Sequence, residues 1–282
     1  NQAVTRYKSK SLEMPKNSLG NRVDLTRWRK LTLPAGTDLD EAIEELSLDP
    51  RIEVVESNFE RGLLGDPSEK PAQDTSDTSS LVAADDPRKG EQWALSRTRT
   101  EEAWQWLEDN GYPAWGDRNI VVAVIDSGVD YTHEDLAGNM WVNAGEIPDN
   151  GVDDDNNGFV DDVYGADVVG SIYDHDGDPQ DDNGHGTHVA GIIAAQGNNG
   201  IGIIGVAPNA QIMAIKAAQY SGALTSTDIS EGILYAYQQG ADIINMSLAS
   251  SGASTAEETA INAALDAGLV VVAATGNDGA QT

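Results

Sequence analysis

Short runs of consecutive apolar residues dominate the second half of the chain, and helical patterns separate them. The runs lie at residues 120–125, 211–215, 242–246 and 269–274. The helical patterns lie at residues 187–196, 227–239 and 255–267. Strands that are apolar on both faces and joined by helical crossovers are typical of a parallel sheet with helices on both sides. The pattern therefore predicts an α/β domain with a doubly wound parallel sheet.

The first 65 residues show a different pattern, which predicts a small α+β unit. Residues 28–33 and 51–56 have the composition of strands, and an apolar stripe at helical spacing lies between them. The stripe consists of Leu39, Ile43 and Leu46. We expect Thr37 to cap this helix, because its hydroxyl can accept a hydrogen bond from the backbone N–H of Asp40.

The segment between the two units is polar and rich in Pro, Ser and Asp. It runs from residue 66 to residue 90 and predicts a mobile linker that proteases can reach. An ordered surface loop is the alternative. The predicted organisation is therefore a unit at residues 1–65, a linker at 66–90 and the doubly wound domain at 91–282.

Charge is distributed unevenly along the chain, whose 282 residues carry a formal net charge of −30. Residues 1–65 contain 10 Lys/Arg and 11 Asp/Glu, whereas residues 66–282 contain 7 and 36. So acidic a domain disfavours nucleic acid and anionic membranes as partners and favours cations. The sequence has no cysteine, which excludes disulfide bonds and thiol chemistry, and its apolar runs are too short to span a bilayer.

Polar residues follow three of the four predicted strands. Asp126, Ser247 and Asn277 come after the first, third and fourth apolar runs. Ligands of open parallel sheets bind at the carboxyl ends of the strands. Three such endings at one edge of the sheet predict a functional site there.

Two histidines, His185 and His188, stand three residues apart at the start of a predicted helix. A zinc-protease helix would place them four apart with a glutamate between them, so metal ligation by this pair is disfavoured. We expect His188 to be packed and hydrogen-bonded. His185 has glycine neighbours that leave its ring free to face a cleft, where Asp126 could fix its tautomer for general-base chemistry. The amide of Asn277 could stabilise an oxyanion, although a turn residue is the local alternative.

Five segments together resemble the subtilisin-like serine proteases, the subtilases. In chain order they are VVAVIDSGVD, NGHGTHVAGIIAA, GVAPNAQIMAIKA, INMSLAS and VVVAATGNDG, within residues 91–282. The resemblance implies that Asp126 orients the imidazole, that His185 is the general base and that Asn277 supplies the oxyanion-hole amide. It implies a structural role for His188.

The family's nucleophilic serine has no counterpart in this sequence. In subtilases it stands in a Gly-Thr-Ser-Met-Ala-like motif some tens of residues after the oxyanion asparagine, and the sequence stops at Thr282. We therefore expect a serine endopeptidase precursor whose serine lies beyond Thr282, and we expect residues 1–282 alone to be inactive. The alternatives are a catalytically dead protein of this fold with a binding or structural role, and a calcium-binding surface module.

The resemblance also implies where a substrate lies. Ser247 and Leu248 match the wall of the first specificity pocket, although Ala249 follows where the family usually has glycine. Residues 221–224 match the strip on which an extended substrate pairs as an added strand. The implied substrate-binding residues are Gly222, Ala223, Leu224, Ser247, Leu248 and Ala249.

The N-terminal unit resembles the inhibitory propeptide of this family. Residues 20–60 fit the family's order of strand, helix and strand. The resemblance implies a unit that assists folding, whose C-terminal tail occupies the active cleft until it is cut in the linker. The implied partners are protein or peptide substrates and the chain's own propeptide. We expect a secreted, extracellular monomer with no nucleic-acid partner and no membrane segment.

The densest run of carboxylates, residues 149–162, predicts a calcium site. Oxygen ligands at alternate positions followed by a glycine are typical of the first half of an EF-hand loop, although the twelfth position is Tyr164 rather than Glu. A solvated acidic loop is the alternative. The predicted ligands are Asp153, Asp155, Asn157, the carbonyl of Phe159 and Asp161.

The resemblance implies a second calcium site, and we expect no organic cofactor. This site would hold the N-terminal segment of the catalytic domain in place, through Gln92. Its implied ligands are Asp135, Asn199 and the carbonyls of Gly197, Ile201 and Ile203.

Overall fold

The computed structural model describes residues 2–7, 28–34, 37–58, 60–63, 84–170, 176–249 and 252–276. The described residues form a small N-terminal unit and a larger unit that begins at residue 84. Among the helices in these ranges, none reaches the length and hydrophobicity that a membrane span requires.

The N-terminal unit is an antiparallel sheet with one helix. Its elements are β1 (Gln2–Tyr7), β2 (Trp28–Thr32), α1 (Leu39–Ser47) and β3 (Ile52–Ser57), followed by β4 (Glu60–Leu63). The three strands pair in the order β2-β1-β3, and α1 lies against β3. The predicted order of strand, helix and strand is confirmed, and β1 is an additional central strand.

The cap of α1 differs from the prediction. Oδ1 of Asp38 accepts hydrogen bonds from the backbone N–H groups of Asp40 and Glu41 at 3.0 and 3.1 Å. The hydroxyl of Thr37 instead donates to the carbonyl of Pro34 at 2.8 Å. The prediction of Thr37 is wrong because Asp38 directly precedes the first helical residue, and its short carboxylate reaches the free N–H groups of the first turn.

The larger unit is built on a five-stranded parallel sheet. In chain order its elements are α2 (Trp93–Arg97), α3 (Thr100–Asp109), β5 (Val121–Asp126), β6 (Gly165–Asp167), α4 (His185–Ala194), β7 (Gln211–Lys216), β8 (Ala223–Thr225), α5 (Ser226–Gln238), β9 (Ile243–Met246), β10 (Leu248–Ala249), α6 (Thr255–Asp266) and β11 (Val270–Ala273). The sheet order is β11-β9-β5-β7-β6, and all neighbours run parallel.

Helices cover both faces of this sheet. Successive residues of the central strand β5 point to opposite faces. Val121, Ala123 and Ile125 pack into a core with residues of α5 and α6, whereas Val122 and Val124 pack into a second core with residues of α4. All six residues of β5 are buried. The prediction of a doubly wound α/β sheet is therefore confirmed.

The predicted strands and helices of the larger unit agree with the structure within two residues at each end. The apolar pattern did not reveal α2, α3, β6, β8 or β10. The three strands have only two or three residues each, too few to show a periodicity. Helix α3 is rich in polar residues, and two of its three buried residues, Thr100 and Glu101, are polar.

A third sheet joins the two units. Strand β4 runs antiparallel between β8 and β10, in the order β10-β4-β8. Gly62 pairs with Ala223 on one side and with Ala249 on the other. Leu63 pairs with Leu248. The N-terminal unit therefore contributes the middle strand of a sheet whose outer strands belong to the larger unit.

Part of the predicted linker packs against the larger unit. The buried carboxylate of Asp86 accepts the backbone N–H of Asn198 at 2.9 Å. The N–H of Arg88 donates to the carbonyl of Gly202 at 2.9 Å. Residues 66–83 of the predicted linker lie outside the described residues, and the three domain boundaries stay predictions.

Candidate active site

Asp126 and His185 meet at the carboxyl edge of the main sheet. Asp126 is the last residue of β5 and is fully buried, and His185 is the first residue of α4. Nδ1 of His185 lies 2.7 Å from Oδ1 of Asp126. Because an ionised carboxylate can only accept, this contact places the imidazole proton on Nδ1. In the neutral imidazole, Nε2 then carries the lone pair that can accept a proton.

Close backbone packing brings the start of α4 against the end of β5. A Cβ added to Gly186 would lie 2.1 Å from the carbonyl oxygen of Gly128 and 3.0 Å from Cβ of Asp126. The N–H of Gly186 donates to Oγ of Ser127 at 2.9 Å. Glycine at position 186 is therefore required for His185 to reach Asp126.

Asp181 organises the loop that precedes His185. Its Oδ1 accepts the N–H groups of Asn183 and Gly184, both at 2.9 Å, and the hydroxyl of Ser127, also at 2.9 Å. Its Oδ2 accepts the N–H and the hydroxyl of Thr187 at 3.0 and 2.6 Å. Asp181 is thus bonded to residues on both sides of His185 and to the residue after Asp126.

The pKa of Asp181 reflects these donors. Burial alone would raise the pKa, but the hydrogen bonds from Gly184 and Thr187 outweigh burial and hold it below its usual value. The carboxylate is therefore ionised throughout the neutral range. It holds the residues on both sides of His185 in place.

His188 does not share the environment of His185. It is exposed, whereas the buried residues of α4 are Gly186, Ala190 and Ala194. Because these three recur every four residues, they mark the face of α4 that packs on the sheet, and His188 lies away from that face. The prediction of a packed His188 is wrong for this reason.

The predicted substrate-binding residues line two facing strands. Ala223 and Leu224 belong to β8, and Leu248 and Ala249 form β10. Gly222 and Ser247 directly precede these two strands. The gap between β8 and β10 is the one that β4 fills. Asn277, the third predicted catalytic residue, lies outside the described residues.

The chain that leads into β4 also binds two helix N-termini of the larger unit. The carboxylate of Glu56 accepts the hydroxyl of Ser254 at 2.8 Å and the N–H groups of Thr255 and Ala256 at 2.9 and 3.2 Å, at the start of α6. Oδ1 of Asn58 accepts the N–H and the hydroxyl of Thr227 at the start of α5. Both acceptors satisfy N–H groups that a helix leaves unpaired at its beginning.

Three carboxylates form a cluster that could hold a metal ion. Oxygen atoms of Glu146, Asp155 and Asp162 all lie within 4.8 Å of one another. Burial raises the pKa of Asp162 to about 6, against the opposing hydrogen bonds from Tyr235 and Asn157. A Cβ added to Gly145 would lie 2.8 Å from Cβ of Asp155, so the chain needs glycine to pass so close. Hard oxygen ligands gathered in this way fit calcium.

Only one of the five predicted ligands in this run, Asp155, belongs to that cluster. The carboxylate of Asp153 accepts the N–H groups of Asn157 and Gly158, both at 3.0 Å. The carboxylate of Asp161 accepts the N–H groups of Asn150 and Gly151. The amide of Asn157 donates to both Asp155 and Asp162, and the N–H of Phe159 donates to Oδ1 of Asn157. The EF-hand-like ligand set stays a prediction.

The second predicted calcium loop surrounds Asp135, which is almost completely buried. Its carboxylate accepts the amide of Asn199 at 2.8 Å and the N–H of Ile203 at 3.1 Å. The N–H of Ile201 donates to Oδ1 of Asn199 at 2.8 Å. Close to this loop, Gln92 makes two hydrogen bonds with the backbone of Ile204. The predicted ligands Gly197, Ile201 and Ile203 thus belong to the loop that packs on Asp135, and their role as ligands stays a prediction.

Sequence reasoning missed three residues of these sites. Asp181 stands four residues before His185 in the motif DDNGHG, and its position ahead of a helix was a usable signal for a capping role. Asp162 ends the predicted calcium run, but the EF-hand spacing favoured its neighbour Asp161. Glu146 lies before the run, and its approach to Asp155 depends on the tertiary fold.

Comparisons with known proteins find similar sequences over most of the chain. A family model described as the subtilase family matches residues 117–282. The thermophilic serine proteinase of Bacillus sp. (strain AK1) is 40% identical over 194 residues, which cover 69% of this chain and 40% of that protein. The minor extracellular protease Epr of Bacillus subtilis (strain 168) is 34% identical over 253 residues, covering 90% of this chain and 32% of that protein. The chain thus spans less than half the length of either relative.

A solved structure matches nearly the whole chain. The crystal structure of fervidolysin from Fervidobacterium pennivorans, described as a keratinolytic enzyme related to subtilisin, aligns with a TM-score of 0.68 at 24% identity. The alignment covers 98% of this chain and 40% of that one. At this identity the likeness establishes the fold, which is subtilisin-like.

Proposed function

This chain belongs to the subtilase family, and we propose that it is the precursor of a serine endopeptidase acting through Asp126, His185 and a serine C-terminal to Thr282. The observation that carries the proposal is the 2.7 Å contact between Nδ1 of His185 and Oδ1 of Asp126 at the edge of the sheet. It is the geometry in which a carboxylate fixes an imidazole as a general base.

Each group has a separate role in the proposed reaction. Nε2 of His185 takes the proton of the serine hydroxyl as the serine attacks the peptide carbonyl, and later gives it to the leaving amine. Asp126 stabilises the imidazolium that forms between these two transfers. The amide of Asn277 donates a hydrogen bond to the oxyanion, a contribution of about 3–4 kcal/mol in such sites.

The N-terminal unit, within residues 1–65, acts as an inhibitor of this enzyme. Strand β4 occupies the gap between β8 and β10 that the proposal assigns to substrate, and it pairs there as an added strand. Glu56 and Asn58 bind the starts of α6 and α5 beside it. Cutting the chain in the 66–90 region would release β4 and open the cleft.

Calcium stabilises the catalytic domain. Glu146, Asp155 and Asp162 would hold one ion, which would neutralise the mutual repulsion of their charges. Asp153, Asn157, Asp161 and the carbonyl of Phe159 lie in the same loop and are the alternative ligand set. Asp135, Asn199 and the carbonyls of Gly197, Ile201 and Ile203 would hold a second ion.

The protein acts outside the cell as a monomer on protein or peptide substrates. Support comes from the relative named an extracellular protease, from the absence of cysteine and from the calcium requirement proposed above. The net charge of −30 agrees with a protein that does not bind nucleic acid.

The test is an assay of the full-length protein on casein, in calcium, with and without a serine-directed phosphonate. We expect cleavage that the phosphonate abolishes. Residues 1–282 alone serve as a control that should be inactive, because they lack the nucleophile. Absence of phosphonate-sensitive cleavage by the full-length protein would favour the catalytically dead alternative.

A further inference from the structure

Arg61 of β4 forms a shielded ion pair with the larger unit. Arg61 is only 6% exposed, and its Nε donates to Oε1 of Glu257 at 2.9 Å. Glu257 stands in the first turn of α6, and its side chain is 17% exposed. A shielded charge is costly when its partner is removed. Release of β4 would therefore leave a carboxylate in the cleft that favours a new cation.

Strand β4 is held by main-chain pairing with β8 and β10, which does not depend on the identity of its side chains. Arg61 pairs with Leu224, Gly62 with Ala223 and Ala249, and Leu63 with Leu248. Main-chain pairing of this kind accepts any extended peptide, so selectivity has to come from the side-chain pockets. The pocket that takes the side chain of Arg61 contains Glu257.

We propose that Glu257 is a specificity-determining residue that selects arginine in the substrate, at the position that Arg61 occupies in β4. The proposal rests on the proposed function and names a substrate class for it. In a substrate strand with the register of β4, this position lies three residues before the one that faces Ser247. The family resemblance assigns Ser247 to the wall of the first specificity pocket, so we number the selected residue as the fourth before the cleaved bond.

The chemistry of the pocket favours arginine over other residues. The contact to Glu257 is made by Nε, a donor within the planar guanidinium that lysine lacks. Burial raises the pKa of Glu257, and the hydrogen bond from Arg61 opposes this rise. A neutral or acidic side chain at this position would leave the carboxylate of Glu257 shielded from water without a positive charge beside it.

The test uses the processed full-length enzyme with calcium and a set of peptides that differ only at the fourth position before the cut, as Arg, Lys, Leu or Glu. We expect kcat/KM for Arg to exceed that for Leu by about ten- to a hundredfold, the range of a hydrogen bond to a charged group. Glu257→Gln should reduce this preference to about twofold or less. Glu257→Lys should reverse it in favour of Glu. Glu258→Gln, at the exposed next residue, should keep the wild-type preference.

The outcomes separate this inference from the proposed function. Equal rates for Arg and Leu in the wild type, or a preference that survives Glu257→Gln, overturn the role of Glu257 and leave proteolysis standing. If no peptide is cleaved, the proposed function fails. Binding of a labelled NFERGL peptide then decides the role of Glu257, after an added protease has cut the 66–90 region and the N-terminal unit has been removed. Binding at least tenfold tighter than that of the same peptide with Arg61→Leu, lost in Glu257→Gln, supports the site, and equal binding overturns it.

Discussion

The two carboxylate-rich regions of the larger unit balance their negative charge in different ways. At the sheet edge, Asp181 is surrounded by N–H and hydroxyl donors from its own loop, and its pKa lies below the usual value. In the Glu146–Asp155–Asp162 cluster, burial raises the pKa of Asp162 to about 6, although Tyr235, Asn157 and Asn143 donate hydrogen bonds to it. Hydrogen-bond donors therefore dominate at Asp181, whereas burial dominates at Asp162.

This difference indicates that the two regions have separate roles. The contacts that place His185 against Asp126 come from residues 126–130 and 181–187. None of those contacts, among the residues that the structure describes, uses the carboxylate cluster. We therefore expect catalytic geometry and calcium-dependent stability to respond to different substitutions.

The largest expected effect is that of His185→Ala on catalysis. Loss of the general base should lower kcat/KM on the order of 10⁶-fold, because the serine then has no group to accept its proton. The melting temperature should fall by only a few degrees, because the change removes one hydrogen bond to the buried carboxylate of Asp126. Peptide hydrolysis and calorimetry on the full-length protein provide the two measurements.

His188→Ala is the matched control for His185→Ala. It removes a histidine from the same helix, one turn away and exposed. Activity within about twofold of wild type is expected, because this side chain lies off the packed face of α4. A loss comparable to that of His185→Ala would contradict the assignment of the base.

The fold could be predicted where a strand is buried on both faces, because such a strand is an uninterrupted run of apolar residues. Strand β5 is buried along its whole length, and its run at 120–125 was placed within one residue. Strand β4 has no such apolar run. Its four residues, ERGL, form a strand because they pair with β8 and β10. Pairing between residues that are distant in sequence leaves no local periodicity.

The residues of the candidate site also fall into two groups, those that a local sequence signal marks and those that only the tertiary fold brings together. Asp126 and His185 each carry a local signal, a strand end in one case and flanking glycines in the other. Glu146 and Asp162 are brought together by a turn of the tertiary structure, and Arg61 and Glu257 are 196 residues apart. For these pairs the sequence supplies the chemistry of each residue but not the distance between them.

Removal of calcium should act on the carboxylate cluster and leave the sheet edge intact. With calcium at about 100 times its Kd, chelation should cost about 3 kcal/mol of unfolding free energy. That loss corresponds to a fall of about 5–10 °C in melting temperature for a domain of this size. Scanning calorimetry of the full-length protein with calcium and with EGTA measures it.

Asp162→Asn tests whether the cluster is the source of that effect. The variant has a weaker ion site and one charge fewer, so its melting temperature should respond less to EGTA. Its kcat/KM, measured in excess calcium, should stay within a few-fold of wild type. A full wild-type response to EGTA in this variant would assign the calcium effect to the loop around Asp135 instead.

The smallest expected effect concerns the pH dependence of unfolding free energy, in which Asp181 and Asp167 contribute with opposite signs. The pKa of Asp181 is lowered in the folded protein, so its stabilisation is present above the unfolded value of about 4 and is lost as pH falls below it. Burial raises the pKa of Asp167 to about 6, so the cost of ionising it is absent below about pH 4 and complete above about pH 6.

Urea unfolding between pH 3 and pH 7, at constant calcium, measures both contributions. Asp181→Asn should lose about 2 kcal/mol relative to wild type at pH 6, and this loss should become smaller towards pH 3. Asp167→Asn should instead gain on wild type as pH rises from 4 to 6, and a loss for both variants over that interval would show that donors and burial do not separate these carboxylates.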